Sequence, residues 1–279
     1  MKPKPSTASD YNPHQLNLVH SICLYISTII GDYIDDLVIV GGLVPTLIIP
    51  QVPPPEGAEA HVGTQDLDIG FSLGVLNSDR YQKIVERLRG AGFIPDVNKN
   101  QNPTFQRWKL EKSVNVTVDF LIPQTTQDEI GGTIKHFDKD FGAVITPGLE
   151  LAFQDRIKLS IHGQTPFGED AKRDIWVCGP GAYILLKALA FGSRGENKDA
   201  YDLFYVVRNF GSGCEEVIQH LLPLIENKHG AKAIDILKRD FSNPSSVGSV
   251  RVARFKFGQP DEETQVEVAG FVNQVLNRI

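Results

Sequence analysis

Asp66-Leu67-Asp68 and Asp119 are the residues whose chemistry stands out. In an extended chain, side chains two apart leave the same face. Asp66 and Asp68 therefore aim into one space while Leu67, Ile69, Phe71 and Leu73 take the other side. A second strand, Val114 to Leu121, sets Val114, Val116, Val118 and Phe120 against Asn115, Thr117 and Asp119, so a neighbouring strand can add a third carboxylate. Three carboxylates that close repel one another unless a cation compensates them, and hard oxygen donors favour magnesium or manganese. Two such ions can clamp the attacking and leaving oxygens of a phosphoryl displacement. Upstream, Gly41-Gly42 ends an apolar β-branched run, Leu37 to Val40. Without Cβ atoms, a glycine pair lets backbone N–H groups approach a triphosphate, and a helix start after it adds a positive end. The expected fold class is α/β (α+β), a core with a mixed sheet followed by a C-terminal helical lobe.

The elements that must position these groups follow from the hydrophobic period. A helix is expected from Asn12-Pro13-His14 to about Asp32, a strand at Leu37–Val40, a short helix over Leu43–Ile49 and a surface loop from Pro50 to Gly63. After the strand Asp66–Leu73, Asn77-Ser78 can cap a helix reaching Gly90, with Tyr81, Ile84, Val85 and Leu88 on one stripe. Thr104–Leu110, Val114–Leu121, Leu151–Ser160 and Asp174–Cys178 are strand-like. From Gly179 the period becomes helical: Ala182–Phe191, Lys198–Phe210, Cys214–Glu226, Ala231–Phe241 and Glu262–Leu276. The domain reading is a flexible tail over 1–12, an α/β domain over 13–179 with its N-terminal helix, and a helical domain over 180–279.

The order Gly41-Gly42, then Thr64-Gln65-Asp66-Leu67-Asp68, then Val118-Asp119, resembles the nucleotidyltransferases of the DNA polymerase β superfamily. Lys187-Ala188-Leu189-Ala190, then Arg194, then Lys198-Asp199-Ala200-Tyr201-Asp202-Leu203, looks like the AbiEii/AbiGii (MenT-like) toxin branch. The resemblance spans roughly Leu37 to Phe210. It implies that Asp66, Asp68 and Asp119 hold Mg2+ or Mn2+, that Asp119 helps to deprotonate the acceptor hydroxyl, and that Gly41, Gly42, Thr64 and Lys187 bind the nucleotide. Asp202 would support Lys187 or the base-contacting surface. It further implies transfer of a nucleoside monophosphate from a nucleoside triphosphate to a hydroxyl, plausibly the 3′ end of tRNA, with a cognate antitoxin protein as partner. The residues alone leave plainer readings open. Lys187 lies in an apolar helix and can snorkel to solvent, Lys198 and Asp202 can be an i,i+4 ion pair, and Asp199 can sit at the positive end of its helix.

Two rivals remain at this stage. One keeps the chemistry but moves the nucleotide to a small molecule, as antibiotic-type nucleotidyltransferases do. The other is a catalytically decayed nucleotide- or partner-binding module. It is motivated by Val62, where the family carries a basic residue, and by Leu43, where a hydroxyl is common; His61 and Thr46 are the nearest substitutes.

Composition narrows the classes further. With 28 Lys+Arg against 34 Asp+Glu, the chain lacks the overall basicity of a dedicated nucleic-acid binder. Between Asn227 and Gly258, however, seven basic residues face two acidic ones, and Arg254-Phe255-Lys256-Phe257 interleaves charge with rings that could stack on bases. A solvated helix face over core phenylalanines is the plainer account of that segment. Cys23, Cys178 and Cys214 have no ligand spacing, which fits a reducing cytoplasm. Leu18–Ile30 is too short and too interrupted to cross a bilayer, so a buried helix is expected and no membrane partner.

Overall fold

The structure is a computed structural model that describes residues 5–72, 80–111 and 116–279. Leu73, Asn77, Ser78, Val114 and Asn115, which entered the expectations above, lie outside the described residues. The chain divides into two compact units. One comprises Pro13–Val44 and Gly63–Cys178; the other comprises Pro45–Val62, Gly179–Ile279 and residues 5–12.

The first unit opens with α1 (Pro13–Ile30), whose Val19, Ile22, Cys23, Leu24, Ile26 and Ile30 are buried. The expected buried helix therefore forms and packs on the sheet. A 3-10 turn leads into β1 (Leu37–Val40), an apolar run buried at every position. Gly41–Leu43 forms a second 3-10 turn, and α2 (Val44–Ile48) carries the chain into the other unit. On return come β2 (Asp66–Phe71), α3 (Arg80–Gly90), β3 (Phe93–Val97), β4 (Pro103–Leu110), β5 (Thr117–Pro123), β6 (Ile134–His136), β7 (Gly142–Thr146), α4 (Leu151–Gln154), β8 (Arg156–Gln164) and β9 (Asp170–Cys178). The strand expected from Leu151 starts later. Gly148 takes a positive φ, and Leu151 and Ala152 donate to the carbonyls of Gly148 and Leu149, so the chain coils for one turn before extending at Arg156.

Among the described residues, nine strands form one mixed sheet in the order β3-β4-β5-β2-β1-β9-β8, with β7 also pairing β5 and β6 pairing β7. β2 and β5 are parallel neighbours, while β4 meets β5 and β1 meets β2 antiparallel. Alternation sends Leu67, Ile69 and Phe71 of β2, and Val118, Phe120 and Ile122 of β5, into the core. There Phe71 stacks on Phe120 at 5.4 Å, and Trp108 and Phe141 meet edge to face at 5.5 Å. These four rings are almost wholly withdrawn from water, a burial worth roughly 2–3 kcal/mol each. Because the side-chain period is two, fixing this aromatic layer also fixes which residues stand on the opposite face.

The second unit is helical: α5 (Pro180–Arg194), α6 (Asn197–Asn209), α7 (Cys214–Leu221), α8 (Lys228–Phe241), α9 (Val247–Phe257) and α10 (Glu262–Leu276). Pro180 at the first turn starts α5, and Gly195 in the left-handed conformation ends it. α5 packs on α6 and α8, and α9 packs on α6 and α10. The helix α9 was not anticipated. Its Val252, Ala253 and Phe255 face the core, and Gly258 ends it in the left-handed conformation. Among the described residues no helix is long and apolar enough to cross a membrane. Cys23 and Cys178 are buried, and Cys214 is partly covered.

Candidate functional site

In the first unit, strand register assembles an acidic face. Asp68 of β2 pairs directly across from Asp119 of the parallel strand β5, and Asp66 stands opposite Thr117. On the far side of β5, Arg107 of β4 pairs opposite Asp119. Its guanidinium forks onto that carboxylate, with Nε donating to Oδ1 at 2.7 Å and Nη2 donating to Oδ2. The same Nη2 lies 3.9 Å from Asp66 Oδ2. Asp119 and the charges of Asp66 and Asp68 hold the Arg107 pKa above its ordinary value despite partial burial. All three carboxylates thus act on one cation supplied by the chain itself.

The turn after β1 completes this face. Gly41 has φ +70°, and a Cβ placed on it would lie 1.8 Å from Asp68 Oδ2. A Cβ on Gly42 would lie 2.8 Å from Thr64 Cβ and Oγ1. The space left by the absent side chains is therefore filled by Asp68 and Thr64, which gives the glycine pair a role beyond backbone access to an anion. The Thr64 hydroxyl donates to Asp66 Oδ1 at 3.0 Å, orienting the carboxylate. Gly41→Ala is expected to push Asp68 aside and impose a disfavoured backbone, costing roughly 1–3 kcal/mol. Urea denaturation of the variant, together with a direct Mn2+ titration, would show both effects; an unchanged midpoint and unchanged Mn2+ affinity would refute the tight fit.

The chemistry of this face suits a hard divalent cation: two carboxylates on one strand face, a third from the adjacent strand, and a hydroxyl that orients one of them. The spacing is more particular. Among the described residues no group of three or more His, Cys, Asp or Glu side chains is arranged to hold a metal ion. Both oxygens of Asp119 are instead turned to Arg107. A carboxylate retains further lone pairs when it accepts a bidentate arginine, so Asp119 can still share a cation held by Asp66 and Asp68.

The other predicted residues lie in the second unit. Lys187 of α5 is not a snorkelling surface lysine. Its Nζ lies 2.7 Å from Asp202 Oδ2 and 3.1 Å from Asp199 Oδ1, both on α6. Arg194 forks onto Asp199 at 2.6 and 2.8 Å, and Lys198 pairs with Asp202 one turn away. The side chain of Asp202 has no exposed surface. Burial alone would raise its pKa, but Lys187, Lys198 and His61 hold it well below the usual carboxylate range. Burial would likewise lower the pKa of Lys187, yet Asp202 and Asp199 keep it above the ordinary lysine value. Lys198, with one near carboxylate and the Lys187 charge beside it, is pushed down by burial. Its ammonium lies 5.3 Å from the Tyr11 ring centre and 5.6 Å from that of Tyr201. The i,i+4 pair and the first-turn placement of Asp199 are therefore both present as parts of a larger buried network.

His61 completes that network. Its Nε2 lies 2.9 Å from Asp202 Oδ1, and its ring is stacked on Tyr201 at 5.2 Å and edge-on to Tyr205 at 4.8 Å. Burial, reinforced by Lys198, lowers its pKa from 6.5 to about 4 despite the Asp202 contact. A histidine so depressed is neutral in the folded chain while its unfolded counterpart takes a proton below pH 6.5. Stability is unaffected above that pH and is lost as pH falls from 6.5 towards 4, by about 3 kcal/mol for this residue alone. His20, also lowered by burial and by His162, acts in the same direction. Urea unfolding at pH 7, 5.5 and 4.5 should show the loss, and His61→Gln should flatten most of it; an equal slope in the variant would refute the assignment.

On α8 and α9, Lys228, Lys232, Lys238, Arg239 and Arg254 are exposed, whereas Arg251 donates to Asn197 Oδ1 at 3.0 Å. Of the two interleaved rings, Phe255 is core and Phe257 is exposed. Arg107 was the functional candidate that sequence reasoning did not single out. The alternation Arg107-Trp108-Lys109-Leu110 separates it from the core, but its partner depends on the order of strands.

No family model matches the chain, and no curated protein matches it.

Proposed function

We propose that the protein is a divalent-metal-dependent nucleotidyltransferase. The observation that carries this reading is the register that sets Asp68 opposite Asp119, with Asp66 on the same strand face and Gly41 shaped around the Asp68 carboxylate. Asp66 and Asp68, with Asp119 sharing, would hold magnesium or manganese. When bound, the ion supplies positive charge to the phosphate oxygens of a nucleoside triphosphate. The bond from the α-phosphorus to the bridging oxygen breaks, pyrophosphate leaves with that electron pair, and an acceptor hydroxyl oxygen forms the new ester while its proton passes to solvent. Thr64 orients Asp66, and Gly41 leaves the room that Asp68 needs. A triphosphate contact for Lys187 rests on the resemblance alone. The two carboxylate partners of this lysine keep it protonated.

RNA is the acceptor we favour, because the exposed cations of α8 and α9 offer a polyanion favourable contacts that a small amine-bearing acceptor does not gain. A cognate antitoxin and a cytoplasmic site of action belong to the same proposal. Its test is incubation with magnesium, each α-labelled nucleoside triphosphate in turn and total RNA, beside parallel reactions offering aminoglycosides or lincosamides. Labelled RNA that requires magnesium is the expected result. Label on the small molecules would move the acceptor, and tight nucleotide binding with no transfer to any acceptor would overturn the enzymatic reading in favour of a binding module.

A further inference from the structure

We propose that residues 5–12 form a strap that closes over Lys198 and gates solvent access to the buried charge network of the helical unit. The proposal goes beyond the transfer reading and does not rest on it. The sequence places this segment in a flexible tail; in the structure it belongs to the helical unit and packs on α9. One carboxylate draws it into a compact turn, Ala8–Asp10. Asp10 Oδ2 accepts from the Ser6 and Thr7 amides at 3.1 and 2.9 Å and from the Thr7 hydroxyl at 2.9 Å. The turn directs Tyr11 onto Phe255 of α9, edge to face at 5.8 Å. Tyr11, Tyr201 and Phe255 then surround the Lys198 ammonium, with ring centres 5.3, 5.6 and 6.0 Å away. Ring faces attract an ammonium, and more strongly where water is excluded. Two of these rings are buried parts of α6 and α9, whereas the third is brought by the strap. With the strap in place the Lys198 side chain is 16% exposed, and beneath it Asp202 meets Lys198, Lys187 and His61. The strap thus covers the outermost charge of the network.

Opening the strap disturbs little else. No residue of the turn Ala8–Asp10 is buried, and Ser6, Ser9 and Asp10 are exposed. A segment with so little buried apolar surface opens locally at far less cost than the helices it lies on. Lys187, Asp199 and Asp202, by contrast, stand on α5 and α6, whose inward faces are packed. Opening therefore turns Lys198 from an enclosed cation into an accessible amine, beside the uncovered faces of Tyr201 and Phe255, with the helical frame unchanged.

Two rates measured on the full chain test the gate: acetylation of Lys198 by N-hydroxysuccinimidyl acetate, located by peptide mass spectrometry, and chymotryptic cutting between Tyr11 and Asn12. The exposed Lys228 and Lys232 serve as internal standards. In the wild type, Lys198 should react about tenfold or more slowly than either standard, because labelling waits on local opening. Tyr11→Ala should raise Lys198 labelling by about tenfold and leave the standards unchanged. Asp10→Ala, which unties Ser6 and Thr7 without touching the rings, should raise cutting at Tyr11 and labelling of Lys198 together. Lys198 as reactive as the standards in the wild type, or unchanged by Tyr11→Ala, would overturn the proposal. So would faster cutting at Tyr11 in Asp10→Ala with no change at Lys198, since the strap would then move without gating anything. Should Tyr11→Ala fail to fold, the wild-type rate and Asp10→Ala decide.

Discussion

Alanine at both Asp66 and Asp68 is expected to abolish magnesium-dependent nucleotide transfer while leaving the fold intact. Loss of the ligands removes several kcal/mol of transition-state charge stabilisation, and at about 1.4 kcal/mol per tenfold this corresponds to a fall of at least ~10³ in rate. Stability should move the other way or not at all. Both side chains project from the face opposite the aromatic core, and Arg107 keeps its bidentate partner Asp119. Removing two of three neighbouring negative charges relieves repulsion. The melting temperature of Asp66→Ala/Asp68→Ala should therefore stay within a few degrees of the wild type while product formation disappears. Unaltered transfer would sink the mechanism, and collapse of the fold would show that the acidic face is structural.

The second large effect is thermodynamic. Asp202→Asn removes the negative charge that Lys187, Lys198 and His61 all meet, in a place without solvent access. Two ammonium groups are then left with Asp199 alone, which Arg194 already engages through both oxygens. Deleting one partner of a buried ion network costs about 3–5 kcal/mol, because the remaining charges stay buried without compensation. For a chain of this size that is a fall of roughly 10 °C or more in melting temperature. Lys198→Met in the same chain should recover part of the loss by removing one stranded charge. A melting temperature unchanged in Asp202→Asn, measured by calorimetry at pH 7, would show that the network is solvated rather than buried.

The elements that were readable in advance are those whose local pattern and boundary agree. β1 is an apolar run stopped by glycine, and α10 begins at Asp261, whose side chain accepts from the Thr264 amide. α9 escaped because Val250, Val252, Phe255 and Phe257 are poor helix formers, and packing on α6 outweighs their propensity. β3 contains Pro95, and β6 and β7 are short, so neither period nor composition marks them. The same division runs through the acidic face and the buried network. Alternation along single strands put Asp66 with Asp68 and set Asp119 away from the core. The Arg107 partnership depends on β4 lying beside β5, and the His61 contact joins residues 141 positions apart; no local pattern encodes either.

That long-range contact has a bearing on how the protein is made. Pro45–Val62, which carries His61, belongs to the same unit as Gly179–Ile279, yet residues 63–178 are synthesised between them. At roughly 5–20 residues per second, the growing chain exposes this early segment for on the order of ten seconds before its packing partners exist. Its five prolines at 45, 50, 53, 54 and 55 suit such an interval, since proline disfavours the strand pairing through which waiting chains aggregate. A fragment starting at residue 179 would lack His61 altogether, so the helical unit cannot be recovered by cutting the gene at a single point.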